Sequence, residues 1–397
     1  MRTSAYAVPE LVQGFFEANP LGLPEFEDWK QYQLAASGAP AKPPPPPNGT
    51  HYAMCFTDNA ILQRAPAKAA LYGRVAPLPP AGATVEVTVT PALGGKTSFS
   101  AEMFGDGTWK VLLPPTEAGG SYSATAACAK CANTTGTTIK NLAFGDVWVC
   151  SGQSNMQLSL STTFDRNATL RAAAEGKYDH IRLFYAADIP VMDDVTGPDL
   201  YVPIGQVSDA VHSGVGANYE PWYLSSTTLN ISGKVPQGLV DGTTGQMPLD
   251  SFSAHCFHTF QELSHILDGQ NKSTPLGLVE VAWGGTEVQN WVRNETINAA
   301  CKNLTGGTPN QAGYPKGTGN LWNGMVLPLI NMTIKGATWF QGENNCGECD
   351  ARCMVNGTNG KPVADCTDPC ETTMRVHQSN IRAISFSHAS GSIKYCC

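Results

Sequence analysis

The sequence contains no apolar run near the roughly 18 residues that a membrane-spanning helix requires, so no membrane span is predicted. Charged residues make up only 15% of the 397 positions, and the formal net charge is -8. Nucleic-acid binding needs a concentrated basic surface, and because the sequence has no such cluster, no nucleic-acid partner is predicted. The hydrophobic fraction of 42% is ample for a buried core, and a chain of this length predicts two domains.

The first nine residues also lack the apolar stretch of a secretory signal peptide. Two other features point to the secretory route, because thirteen cysteines and nine glycosylation sequons suit an oxidising compartment. The sequons lie at Asn48, Asn133, Asn167, Asn230, Asn271, Asn294, Asn303, Asn331 and Asn356. We therefore predict a lysosomal or extracellular glycoprotein whose coding start is misassigned. A cytosolic protein with unused sequons is the alternative, and no oligomeric state is predicted.

The first half of the chain divides into two segments. Residues 1–50 include five consecutive prolines at 43–47 and are predicted to be disordered. Residues 51–142 have the character of β-structure, since positions 84–90 alternate strictly between apolar and polar and Gly105-Asp106-Gly107 is typical of a turn. This spacing predicts a small antiparallel β-sandwich domain.

Residues 143–397 have a different pattern, in which short apolar strands alternate with helices. Strands are predicted at 147–150, 181–185, 276–283 and 334–340, and a helix with one apolar face is predicted at 252–267. Alternating strands and helices predict an α/β domain with a parallel sheet flanked by helices. Long loops are predicted over residues 191–250.

Three glycine-containing turns directly follow three of these strands. They are SGQSNM at 151–156, Gly284-Gly285 after Trp283, and Gln341-Gly342 after Phe340. The carboxyl ends of parallel strands share one sheet edge, so the turns are expected to converge there. A serine at a strand-to-helix turn exposes its hydroxyl beside unpaired N–H groups, which makes Ser154 a candidate nucleophile with an oxyanion hole. Trp339 and Phe340 are expected to belong to the core.

These motifs resemble those of the sialate O-acetylesterase family, a group of SGNH-type carbohydrate esterases. The resemblance rests on GDVWVCSGQSNM at 145–156, FSA at 252–254, the block from Leu276 to Thr286, GATWFQGE at 336–343 and NAILQR at 59–64. It covers about residues 51–345. The resemblance implies an SGNH-hydrolase-like sheet over 143–397, preceded by a β-sandwich domain.

The same resemblance implies a mechanism. Ser154 would attack the acetyl carbonyl of an O-acetylated sugar, with sialic acid as the expected substrate, and the oxyanion would be held by the N–H groups of Ser154 and Gly285 and by Gln341. Water would then release acetate from the acetyl-serine. No metal or organic cofactor is expected. Arg293 is a candidate for binding the carboxylate of sialic acid.

The sequence departs from the family at the general base, which is a histidine three residues after an aspartate near the C-terminus. His388 has Ser385 at the aspartate position, and His377 has Met374 there. Three accounts stay open: a truncated chain or gene model, recruitment of His388 as the base, or a catalytically weak relative. The missing block supports one alternative function, a carbohydrate-binding protein on a decayed esterase scaffold. Acetylxylan esterases are a second alternative, because they share the nucleophile and Gln-Gly-Glu blocks.

The cysteines allow two interpretations. One group is clustered at Cys346, Cys349, Cys353, Cys366 and Cys370, and a close pair lies at Cys128 and Cys131. Such spacing occurs in four-cysteine zinc sites, but the sequons favour disulfides.

Overall fold

The computed structural model describes residues 48–131, 136–186, 221–228, 248–268, 274–293, 319 and 321–341, and the backbone of 354–356 and 362–364. The proline-rich segment 1–47 and most of the loops predicted at 191–250 lie outside these residues. Within them, no helix has the length and apolar character needed to cross a membrane.

The first part of the chain is made of β-strands. A four-stranded antiparallel sheet has the order β1-β3-β7-β6, and β4, β5 and β8 form a second antiparallel group. Their bounds are β1 (Gly49–Tyr52), β2 (Ile61–Gln63), β3 (Ala70–Ala76), β4 (Val85–Pro91), β5 (Thr97–Ser100), β6 (Glu102–Met103), β7 (Thr108–Leu112) and β8 (Gly119–Cys128). The predicted alternation is confirmed in β4, where Val85 and Val87 are buried and Glu86 between them is exposed.

Strand β9 (Thr137–Gly152) joins this part to the second sheet region. Its first half pairs antiparallel with β8, and its second half pairs in parallel with β12 (Leu276–Ala282) and β13 (Gly336–Phe340). Strand β10 (Ile181–Tyr185) continues the parallel group beyond β12, and β11 (Tyr223–Leu224) runs antiparallel to β10. The α/β class is therefore confirmed, but the sheet is mixed rather than wholly parallel, because one long strand belongs to both groups.

The predicted boundary between residues 142 and 143 falls inside β9, so the division into two domains stays a prediction. Strands β14 (Met354–Asn356) and β15 (Pro362–Ala364) form a separate hairpin.

A network of polar contacts anchors the middle of β9. Arg64 donates to both carboxylate oxygens of Asp146, at 2.9 and 2.8 Å, and Gln63 adds a bond of 3.3 Å. Burial alone would raise the pKa of Asp146, but the hydrogen bonds and charge of Arg64 hold that pKa below its ordinary value. Val147 donates its N–H to Gln63 Oε1 at 3.0 Å, so the strand that leads to Ser154 is fixed to β2 at this point.

The helices cover one face of the parallel strands. They are α1 (Ser154–Gln157), α2 (Arg166–Ala174), α3 (Pro248–Ser251) and α4 (Ala254–Asp268), with a 3-10 turn at Leu160–Thr162. A disulfide between Cys150 and Cys256 ties α4 to β9 within a core that includes Phe257 and Phe260. The other face packs against Trp291, Leu321 and Met325. Trp291 ends the 3-10 helix Val288–Trp291, Met325 lies in the π-helix Trp322–Val326, and Leu321 directly precedes that helix. A further 3-10 helix, Leu327–Leu329, follows the π-helix.

Helix α4 begins two residues later than the predicted start at 252. Ser253 explains the difference, because its hydroxyl accepts the N–H of Cys256 at 3.0 Å and so caps the helix. Phe252 is buried ahead of the helix rather than within it.

Candidate active site

Ser154 lies where β9 ends and α1 begins, and it is exposed. Gly152, two residues earlier, has φ of 147°, and a Cβ at that position would lie 1.9 Å from the carbonyl oxygen of Phe340. This approach lets Gln153 donate its N–H to that oxygen at 3.0 Å. Only glycine fits at residue 152, and its fit brings the nucleophile turn against the end of β13.

The turn after β12 reaches the same place. A Cβ added to Gly284 would lie 3.4 Å from both Cα and Cβ of Ser154, so the predicted meeting of these two turns is observed. Trp283 donates its N–H to the Gly152 oxygen at 3.1 Å, and Gly284 donates to Gln157 Oε1 at 2.6 Å. Gly285 follows with φ of 73°. The amide of Gly284 is therefore engaged by α1.

Gln341 completes the group from the end of β13. Its side chain is buried, and Nε2 donates to the carbonyl oxygen of Thr286 at 3.0 Å. Thr286 is itself held, because its hydroxyl donates to Trp283 O at 2.7 Å and accepts from Trp291 Nε1 at 3.0 Å. An amide nitrogen carries two hydrogens, and the bond to Thr286 uses one of them.

Ser253 links α4 to the nucleophile helix. Besides capping α4, its hydroxyl donates to the carbonyl oxygen of Met156 at 2.5 Å, and its own N–H donates to the buried carboxylate of Glu280 at 2.7 Å. Ala254 adds a bond from its N–H to the oxygen of Leu158 at 2.8 Å. The FSA motif thus positions the helix that carries Ser154.

An exposed rim lies beside the Ser154 turn, and the sequence pattern does not predict it. The sequence predicts Phe340 in the core, but the residue is 41% exposed, and its ring lies 5.4 Å, centroid to centroid, from the ring of the exposed His255. Leu158 is also exposed, and its carbonyl oxygen accepts a hydrogen bond from the N–H of Ala254, the residue before His255. One sequence feature does indicate that His255 is exposed, because it directly precedes Cys256 and so lies off the apolar face of α4. Trp339 does pack against the core, at 5.8 Å from Trp291.

The remaining predicted residues are placed as follows. Arg293 is exposed, and its guanidinium carbon lies 5.7 Å from the centre of the Trp322 ring. His388, His377 and the cysteines from 346 to 370 lie outside the described residues. Cys128 and Cys131 form a disulfide rather than part of a zinc site. Within the described part of the chain, no three His, Cys, Asp or Glu side chains come together to hold a metal ion.

Sialate O-acetylesterases from other organisms are similar to this chain in sequence. A human sialate O-acetylesterase is 29% identical over 305 residues, covering 75% of this chain and 49% of the relative. The mouse sialate O-acetylesterase is 28% identical, over 75% of this chain and 52% of its own length. The predicted family resemblance is confirmed. The chain spans about half the length of these curated relatives, and no protein-family profile matches it.

A solved structure supports the fold. The crystal structure of a carbohydrate acetylesterase from Xanthomonas citri superimposes with a TM-score of 0.54 and 18% identity, covering 84% of this chain and 57% of the other. At this identity the match supports a shared fold.

Proposed function

We propose that this chain is a carbohydrate O-acetylesterase that uses Ser154 as its nucleophile. The observation that carries the proposal is the exposed Ser154 at the carboxyl end of a central parallel strand, beside the Gly284 turn, where an added Cβ would lie 3.4 Å from the Cβ of Ser154. The similarity to sialate O-acetylesterases supports the same chemistry. Ser154 attacks the acetyl carbonyl, the sugar alcohol leaves, and water releases acetate from the acetyl-serine.

The oxyanion is proposed to bind the N–H groups of Ser154 and Gly285 and the carboxamide of Gln341. The amide of Gly284 donates to Gln157, which favours Gly285 as the donor from this turn. The bond from Gln341 to Thr286 orients the carboxamide before substrate arrives. Loss of one such donor typically lowers the rate by ~10²–10³. No metal or organic cofactor takes part in the proposal.

The proposed architecture keeps a β-sandwich domain over residues 51–142 ahead of an esterase domain over 143–397 with an SGNH-type, helix-flanked sheet. The separate four-stranded order β1-β3-β7-β6 supports the first unit, and the parallel group around β9 supports the second. The protein is proposed to act in the secretory pathway, as a lysosomal or extracellular enzyme. The disulfides found among the described residues, Cys128–Cys131 and Cys150–Cys256, support an oxidising compartment.

Sialic acid is the proposed substrate sugar, and Arg293 is the proposed partner of its carboxylate. Its contact with Trp322 holds the guanidinium on the protein surface after the Gly285 turn. In Arg293→Gln, KM should rise for an acetylated sialic acid and stay unchanged for an acetylated neutral xylose oligomer. An equal change for both substrates would exclude this role.

The primary test compares the chain with Ser154→Ala in the hydrolysis of an acetylated sugar and of a small acetyl ester. The variant should lose turnover by ~10³ or more if the triad chemistry operates. Asn155→Ala, at the adjacent exposed position, is the matched control. If the chain and Ser154→Ala hydrolyse both substrates equally slowly, the esterase proposal is refuted and carbohydrate binding is the function that remains.

His388 is the proposed general base, and a second experiment tests it. His388→Ala should abolish the acidic limb of the kcat/KM pH profile, whereas His255→Ala should leave that limb in place. A loss of the limb in His255→Ala alone would show that the base is the histidine at the exposed rim.

A further inference from the structure

The β-strand region contains a groove of about 930 Å³, which lies away from Ser154. It opens where β5, at the edge of one sheet, faces β6 and β7 at the edge of the other. Two large apolar side chains on its lining are exposed, with Phe104 at 44% and Leu112 at 52%. Apolar groups in an open polar groove provide a surface on which a sugar ring can pack.

Asn331 lies on the lining of this groove, and it is the acceptor of the sequon Asn331-Met332-Thr333. Its Oδ1 accepts a hydrogen bond from Lys110 Nζ at 2.9 Å. An N-linked glycan is attached through Nδ2 and leaves Oδ1 in place, so this contact is compatible with the modification.

The rest of the sequon fixes the position of Asn331. Met332 is buried, and the hydroxyl of Thr333 donates to the oxygen of Lys68 at 3.0 Å and accepts the N–H of Ala70 at 3.1 Å. Ala70 begins β3, which pairs with β7 on the groove wall. The acceptor asparagine is therefore held at the groove rather than on a free loop.

We propose that Asn331 carries an N-linked glycan whose first sugars lie in this groove, against Phe104 and Leu112. The Nδ2 nitrogen attacks the anomeric carbon of a polyprenyl-diphosphate-linked oligosaccharide. A C–N bond forms, the bond from carbon to phosphate oxygen breaks, Nδ2 loses a proton and the polyprenyl diphosphate leaves. The carboxylate of Glu102, on the same wall, is an acceptor for sugar hydroxyls.

Asn167 provides a matched control within the same chain. It is an exposed sequon asparagine on α2, and it is not among the residues that line the groove at Asn331. Trypsin separates the two sites cleanly, because residues 317–335 and residues 167–171 each form a peptide with a single sequon.

The experiment directs the full chain into the secretory pathway of a eukaryotic host and measures glycan occupancy at both peptides by mass spectrometry. The rate at which a glycosidase removes each glycan from the native protein is then compared. Covering about 60 Å² of apolar side chain favours the covered state roughly tenfold, so release at Asn331 should be about tenfold slower than at Asn167. Denaturation before treatment should make the two rates equal.

Phe104→Ser and, separately, Leu112→Ser should accelerate native release at Asn331 and leave Asn167 unchanged. Both side chains are exposed, so neither variant is expected to impair folding. An Asn331 peptide without glycan in the secreted chain would overturn the modification. If Asn331 carries a glycan that the glycosidase releases as fast as the glycan on Asn167, the glycan does not lie in the groove and that part of the proposal is wrong.

Discussion

Replacing Gly152 by alanine should damage both the stability and the activity of the chain. A Cβ at this position would lie 1.9 Å from the backbone oxygen of Phe340, which no side-chain rotation can relieve, so β9 and β13 would have to separate. Separation weakens the hydrogen bond from Gln153 to that oxygen, which contributes about 0.5–1.5 kcal/mol. The φ of 147° adds backbone strain of about 1–3 kcal/mol for an L-residue. The expected loss in the free energy of unfolding is roughly 2–4 kcal/mol.

Three other glycines separate these two causes. Gly82 has φ of 74° but open space around its Cβ, and Gly73 has an ordinary φ but a Cβ position 1.9 Å from the oxygen of His51. Gly95 has neither feature. Gly95→Ala should leave the free energy of unfolding unchanged or slightly raised. Gly82→Ala should show the cost of the backbone strain alone, and Gly73→Ala the cost of the close contact alone.

The assays are urea unfolding of the four alanine variants and acetyl ester hydrolysis by each at full folding. Ser154 follows Gly152 by two residues, and a misplacement of about 1 Å can lower the rate ~10²-fold. Gly152→Ala should therefore lose kcat in the folded fraction, while Gly73→Ala loses stability alone. The reasoning is refuted if Gly152→Ala unfolds at the same urea concentration as Gly95→Ala, or if it keeps full kcat.

Three further changes test the supports of this region. Because the pKa of Asp146 is lowered in the folded protein, its stabilising effect is present above the unfolded pKa of about 3.9 and is lost as pH falls through the folded value. Asp146→Asn should therefore unfold at a lower urea concentration than the unchanged chain at pH 7. In urea titrations at lower pH, this difference should shrink below about pH 4. Replacing both Cys150 and Cys256 by alanine opens a loop of 106 residues and should cost roughly 2–5 kcal/mol, measured by thermal unfolding. Ser253→Ala should cost about 1 kcal/mol through the lost helix cap and should lower kcat, because the bond to Met156 is also lost.

Each of these changes has a control that limits its interpretation. Glu86→Gln changes an exposed carboxylate of β4 and should leave the stability at pH 7 nearly unchanged. Removal of the Cys128–Cys131 bridge, which spans only three positions, should cost much less than removal of the long-range one. Ser253→Thr keeps the capping hydroxyl and should restore most of the stability lost in Ser253→Ala.

The sequence predicted the local elements well, because each has a short-range signature. The alternating residues of β4 and the apolar run of β10 are visible within one window of the chain. The glycine turns after β9 and β12 were visible as well, and parallel-sheet geometry was sufficient to predict that they meet beside Ser154.

The continuity of β9 could not be predicted in the same way. Its residues 137–144 pair antiparallel with β8, and residues 146–152 pair with β12 and β13, but nothing in the local pattern distinguishes one strand of 16 residues from two shorter ones. Pairing partners are set by contacts far apart in sequence. A predicted boundary therefore fell within a strand.

The exposure of Phe340 shows a second limit. Strand alternation places Phe340 on the same side of β13 as Thr338, the helix-covered side, and Trp339 on the side of Trp291. Periodicity does not reveal that α4 leaves the end of this strand uncovered, so an aromatic side chain next to a buried one was assigned to the core. The same opening exposes His255, and both side chains border the proposed substrate site.

The position of Ser154 depends on contacts made along the whole second half of β9. The strand is held at Asp146 by Arg64, at Cys150 by the disulfide to α4, and at Gly152 by close contact with β13. These three points lie within seven residues, and their partners come from three separate parts of the chain. Ser154, the proposed nucleophile, follows the last of these points by two residues and lies beside the Gly284 turn. The residues that fix this strand lie in the NAILQR, GDVWVCSGQSNM and GATWFQGE blocks and on α4, so one physical role of these blocks is to hold the strand that leads to Ser154.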